Sequence, residues 1–114
     1  MNYRIIATSN FEKQLKRLSK KFPSLKSDLA NLEEQLQANP KSGTPLGKNS
    51  YKIRLAVKSK AKGKSGGFRV ITYLQLDIVI KNLTNIYLLS IYDKSETESI
   101  SNTELKRMIE RRSN

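Results

Sequence analysis

A chain of 114 residues has room for one domain and one modest hydrophobic core, so a second catalytic domain is excluded and residues 1–114 are expected to fold as a single unit. Its 22 lysines and arginines against 10 aspartates and glutamates leave a formal net charge of +12, self-repulsion that a polyanionic partner best explains, with nucleic acid first among such partners. Cysteine and histidine are both absent, which removes disulfides, thiol nucleophiles, imidazole acid/base chemistry and the usual zinc ligands.

In chain order, Asn2 to Thr8 is a short Tyr/Ile-containing stretch that predicts a strand. Ser9 and Glu12 stand at capping-box spacing ahead of Phe11, Leu15, Leu18 and Phe22, which recur at helical spacing. Pro23 interrupts, and Leu25, Leu29, Leu32 and Leu36 set out a second amphipathic helix that ends at Asn39-Pro40. The tight join predicts an antiparallel helical hairpin. Lys41 to Ser50, rich in Gly, Pro, Ser and Lys, reads as a loop. From Tyr51 the period becomes two: Tyr51, Ile53, Leu55 and Val57 alternate with Lys52, Arg54 and Lys58. A Gly/Lys tip over 59–67 leads to a strand from Phe68 to Leu76, and Asn85 to Tyr92 is a further β-rich run, so three strands are expected as a meander. Ser101 and Glu104 form a second capping box, opening a terminal helix whose apolar stripe is Leu105, Met108 and Ile109. The order β-α-α-β-β-β-α predicts an α+β domain, a small mostly antiparallel sheet with helices packed on one face. No run of about 18 apolar residues could span a bilayer, and residues 1–10 lack a signal peptide's apolar core, so no membrane partner is expected and the cytoplasm is the default address.

The candidate chemistry lies on the cationic strand and the segment after it. Lys52, Arg54 and Lys58 share the face opposite the apolar one. The plain explanation is a solvated sheet face; against it, the next segment adds Lys60, Lys62, Lys64 and Arg69 with no acid nearby in sequence, a stripe suited to phosphates. Gly63-Lys64-Ser65 invites a phosphate-loop reading, but that pattern needs a Gly where Lys58 stands and a helix where a strand comes next. Arg69 is the most informative residue, because Phe68-Arg69-Val70-Ile71-Thr72-Tyr73 is otherwise apolar, and an Arg there either snorkels to water or faces an anion. Tyr92 and Lys94 close the last strand and share a face by spacing. The ten acids are scattered, with none between Glu34 and Asp77, so no bound metal and no cofactor is expected.

Together the order and these residues resemble the RelE/ParE toxin superfamily, and within it the RelE/HigB-like branch, over nearly the whole chain from Tyr3 to about Ile109. The carriers are Tyr51-Lys52-Ile53-Arg54-Leu55, Gly67-Phe68-Arg69-Val70-Ile71-Thr72-Tyr73 and Leu88-Leu89-Ser90-Ile91-Tyr92-Asp93-Lys94, with Gly63-Lys64-Ser65-Gly66-Gly67 similar to the loop of HigB-type members. The resemblance implies a ribosome-dependent, metal-independent mRNA endoribonuclease that inhibits translation. It implies as partners the ribosome, its message and a cognate antitoxin, small and acidic or of helix-turn-helix type and DNA-binding as a complex. The family's working basic residues fall on Lys52, Arg54, Arg69 and Lys94, with Lys58, Lys60, Lys62 and Lys64 left to bind RNA. Arg69 and Arg54 suit charge stabilisation, Lys52 the base, and Lys94 the acid or a phosphate clamp, with the two lysine roles exchangeable. The family's Tyr near the last helix has no counterpart, since its place falls near Ile100, expected to staple against Leu105; Tyr92 is the residue that could replace it. The alternatives are a ParE-like gyrase poison and a non-enzymatic RNA-binding module, although few aromatics interleave the stripe as stacking would need.

Overall fold

The computed structural model describes residues 2–60, 67–97 and 99–113. Its elements are β1 (Asn2–Ala7), α1 (Ser9–Lys21), α2 (Leu25–Ala38), β2 (Thr44–Gly47), β3 (Ser50–Leu55), β4 (Phe68–Leu76), β5 (Leu83–Asp93) and α3 (Asn102–Glu110). They make one five-stranded sheet in the order β1-β5-β4-β3-β2. All pairings are antiparallel except β1 with β5, which run parallel because the α1–α2 hairpin carries the chain back across the sheet. The α+β class and the mostly antiparallel sheet are as the patterning predicts.

Three details differ. The segment read wholly as a loop contains the short edge strand β2, whose Pro45 is tolerated because one side of an edge strand needs no ladder donor. Gly43, at φ +94°, brings the chain onto β3 so closely that a Cβ there would collide with the Lys52 carbonyl. The cap of α1 is Thr8, not Ser9: its side chain accepts from the Phe11 N–H at 3.2 Å. The expectation of helices on one face holds for α1 and α2 and is corrected for α3, which lies on the opposite face. The cause is in β4 and β5, which are apolar on both sides and must be covered on both.

Alternate residues of the long strands therefore enter two cores. Phe68, Val70, Leu74, Ile86, Leu88 and Ile91 pack with Phe11, Leu18, Leu25, Leu32 and Leu36 of the helical hairpin. Ile71, Leu89 and Tyr92 pack with Leu105 of α3, joined by Tyr73, Tyr87 and Ile100, so Ile100 does staple into the cluster that holds Leu105. The α3 capping box is present, with the Ser101 hydroxyl accepting from the Glu104 N–H at 3.1 Å.

Between Ile71 and Thr72 the β4–β5 register slips from Ser90 to Leu88, which leaves Leu89 as the extra residue of a β-bulge. Polar side chains from the start of α1 take up the freed backbone groups. Asn10 Nδ2 donates to the Leu89 carbonyl at 2.9 Å, and Gln14 Oε1 accepts from the Ile91 N–H at 2.9 Å and from Ser90 Oγ at 3.0 Å.

Candidate functional site

On the α3 face the sheet brings the expected basic residues together by register. Arg54 of β3 stands directly opposite Arg69 of β4, and Arg69 directly opposite Tyr92 of β5, so the three form one row across three strands. One row further along that face, Lys52 pairs with Ile71. Directly opposed residues have Cβ atoms only about 5 Å apart, and like charges so placed repel. The register thus sets two arginines at directly opposed positions on one face of the sheet.

Each member is held differently. Arg54 is exposed and Lys52 half-buried, and neither has an ion-pair partner among the described residues. Arg69 is only 7% exposed, and its Nη1 donates to the Phe68 carbonyl at 3.2 Å, so packing and a backbone contact fix its direction. Tyr92 is buried, and its hydroxyl has no hydrogen-bond partner among the described residues. Burial pushes the Tyr92 phenol up from its ordinary value, the Arg69 charge pulling only partly against this. The phenol therefore keeps its proton at neutral pH and is an unused donor beside the row.

Lys94 does not share a strand face with Tyr92 as the spacing suggested, because β5 stops at Asp93. Lys94 begins the next turn; its N–H donates to the Gly67 carbonyl at 3.0 Å and its side chain is exposed. Lys58 is exposed too, and Lys62 and Lys64 lie outside the described residues.

Lys60 is the residue the structure sets apart. Its ammonium donates to both oxygens of Asp93 at 2.7 Å, and it lies 5.6 Å from the Phe22 ring centroid and 5.5 Å from that of Phe68, on the helical-hairpin side. The pair is enclosed, with Lys60 and Asp93 side chains 13% and 4% exposed. Burial pushes the Asp93 carboxyl up, but hydrogen bonds from Lys60 and Ser95 and the Lys60 charge outweigh it and hold it below its ordinary value. The stripe's supposed freedom from acids was a property of the sequence order alone. In space Asp93 is adjacent and pairs with Lys60, one of the residues expected to bind RNA.

Sequence reasoning also missed the stem of the loop between β3 and β4. Asp28 of α2 is buried, and its Oδ2 accepts from the Lys58 N–H at 3.1 Å and from Ser24 Oγ at 2.7 Å, while Ser24 Oγ accepts from the Ser59 N–H at 2.8 Å. The signal was available. Asp28 falls on the apolar stripe of its helix between Leu25 and Leu32, where a carboxylate needs a bonding partner.

Among the described residues no group of three carboxylates gathers within reach of one ion, and no helix is long and apolar enough to cross a membrane.

The fold defined by this sheet and its three helices is that of the RelE toxins. No family model matches the chain. Among solved structures it is similar to E. coli toxin RelE, in a double arginine-to-alanine mutant in the free state, with a TM-score of 0.60 and 18% identity over 94% of this chain and 98% of that one.

Proposed function

We infer that this chain is a toxin of the RelE/HigB-like branch, an endoribonuclease that cuts messenger RNA on the ribosome without a metal ion and is neutralised by a cognate antitoxin. The observation that carries the reading is the Arg54–Arg69–Tyr92 row, with Lys52 one row away. The RelE-like fold supports it independently.

Cleavage of this kind begins with attack of a 2′-hydroxyl on the adjacent phosphorus, the 5′-oxygen leaving as the new bond forms. Arg69, held by its packing, grips the phosphate oxygens in a bidentate contact, and Arg54 opposite adds charge as the phosphorane becomes more negative. Lys52 removes the proton of the attacking hydroxyl. Lys94, exposed on its turn, or the protonated Tyr92 phenol returns a proton to the leaving oxygen. With no imidazole in the chain, the rate depends on a partner that orients the RNA, and the ribosome supplies that orientation. The antitoxin, acidic or of helix-turn-helix type and DNA-binding as a complex, acts by covering the basic row.

The test adds purified protein to translating ribosomes carrying a mapped message, with polyamines keeping the ribosome intact after EDTA treatment, and in parallel to gyrase with supercoiled DNA. Cuts inside the translated region that persist in EDTA are expected. A requirement for a divalent ion in a ribosome-free assay would overturn the metal-free mechanism, and trapped gyrase cleavage without cut message would overturn the nuclease.

A further inference from the structure

Beyond the end of β1, a cleft of about 270 Å³ opens between α1 and α3 at the otherwise uncovered edge of β5. Leu89, Ile100 and Met108 line it as an apolar floor, Asn10 and Gln14 stand on its α1 wall, and Arg107 and Arg111 on its α3 side. The row of the sheet that carries Lys52 and Ile71 ends at Ser90, which also lines the cleft, so it lies two strands, or about 10 Å, across from Lys52.

The two amides are oriented by what they hold. The Leu89 carbonyl can only accept, so Asn10 must turn its NH2 to it and keep its oxygen free; the Ile91 N–H can only donate, so Gln14 must turn its oxygen to it and keep its NH2 free. Neither free arm has a partner among the described residues. Asn10 and Gln14 are one helical turn apart on α1, so they present one fixed acceptor and one fixed donor on the same wall. Arg107 and Arg111, likewise one turn apart at the end of α3, have no ion-pair partner among the described residues. Glu104 also lines the cleft, its Oε1 accepting from the Ser101 N–H and hydroxyl.

We propose that this cleft is a base-binding subsite for a nucleotide of single-stranded RNA flanking the cleaved phosphate. The base edge is read by the free arms of Asn10 and Gln14, and the backbone is held by Arg107 and Arg111. An apolar floor for the base, a fixed donor–acceptor pair for its edge and cations at the rim for the adjoining phosphates together suit one unstacked nucleotide. The proposal rests on the ribonuclease reading for the identity of the strand, and it adds a source of sequence preference that the Arg54–Arg69 row, which contacts phosphate, lacks.

The test uses the full chain and four homopolymeric tetraribonucleotides, 2′-O-methylated so that they cannot be cut. Binding is followed by anisotropy and by the side-chain amide NMR signals of Asn10 and Gln14. One base is expected to bind about fivefold or more tighter than the weakest, and its addition should move both amide signals. Gln14→Glu keeps the acceptor that the bulge needs and replaces the free donor with an acceptor, so the order of preference among the four should change. Arg107→Gln with Arg111→Gln, both exposed, should weaken all four about equally and keep the order; this variant tests the cleft even if Gln14→Glu fails to fold. Amide signals that do not move, or affinities unchanged in the double arginine variant, would overturn the subsite. If the cleft binds as described but the protein cuts no message on ribosomes, the ribonuclease reading fails and the subsite stands; cleavage without response in the cleft is the reverse.

Discussion

Two sets of cations occupy the same end of the sheet on opposite faces, and they differ in what stands beside them. On the hairpin face Lys60 is enclosed by Phe22 and Phe68 and neutralised by Asp93 at 2.7 Å. On the other face Arg54 is set opposite Arg69, like charge against like. A count of basic residues treats all of these alike. Their surroundings separate a cation that closes the fold, its charge matched by Asp93, from the Arg54–Arg69 pair on which the proposed function places the phosphate.

The largest expected effect lies on the second face. Arg69→Ala should lower single-turnover cleavage on programmed ribosomes by about a hundred- to a thousand-fold, roughly 3–4 kcal/mol of transition-state stabilisation. Next comes the paired face. Asp93→Ala should cost about 3 kcal/mol in denaturant unfolding, since it leaves the enclosed Lys60 ammonium without its counter-charge; a loss under about 1 kcal/mol would show that the pair is effectively solvated. The same pair gives a pH signature. The folded Asp93 carboxyl titrates below its ordinary 3.8, so its contribution is complete above that pH and is lost as the pH falls through the depressed value. Asp93→Asn should remove that part of the acid destabilisation. Tyr92→Phe should separate stability from activity: removing a buried hydroxyl without a partner should raise stability by about 1 kcal/mol, while cleavage falls about tenfold or more if the phenol donates a proton. The smallest effect belongs to the exposed cations. Lys58→Gln should lower the salt slope of RNA binding by about one and leave folding unchanged.

Much of the fold was legible because its signals are periodic. The three-to-four spacing of leucines gave the α1–α2 hairpin, and the alternation from Tyr51 placed Lys52 and Arg54 on one face. What escaped depends on contacts distant in sequence. β2 is four residues, too short for alternation to register, and it contains a proline. The placement of α3 on the far face comes from continuous apolar runs in β4 and β5, which say that both faces are buried but not by which helix. Arg69 was legible as a charge in an apolar strand, yet its alignment with Arg54 and Tyr92 needed the register. Lys60 was misplaced because Asp93, its partner, is 33 residues away. The amides of Asn10 and Gln14 gave no signal at all, since the bulge they cap is made by strands far along the chain.

The most direct test compares Arg69→Lys with Lys60→Arg in single-turnover cleavage on programmed ribosomes in EDTA, with ribosome affinity and unfolding measured alongside. If geometry at the Arg54–Arg69–Tyr92 row performs the chemistry, Arg69→Lys should bind ribosomes as the parent does and cleave about a hundredfold more slowly, while Lys60→Arg should alter stability and leave the cleavage step unchanged. Near-parental cleavage by Arg69→Lys, or a loss of affinity alone in that variant, would contradict the account and make Arg69 a docking residue.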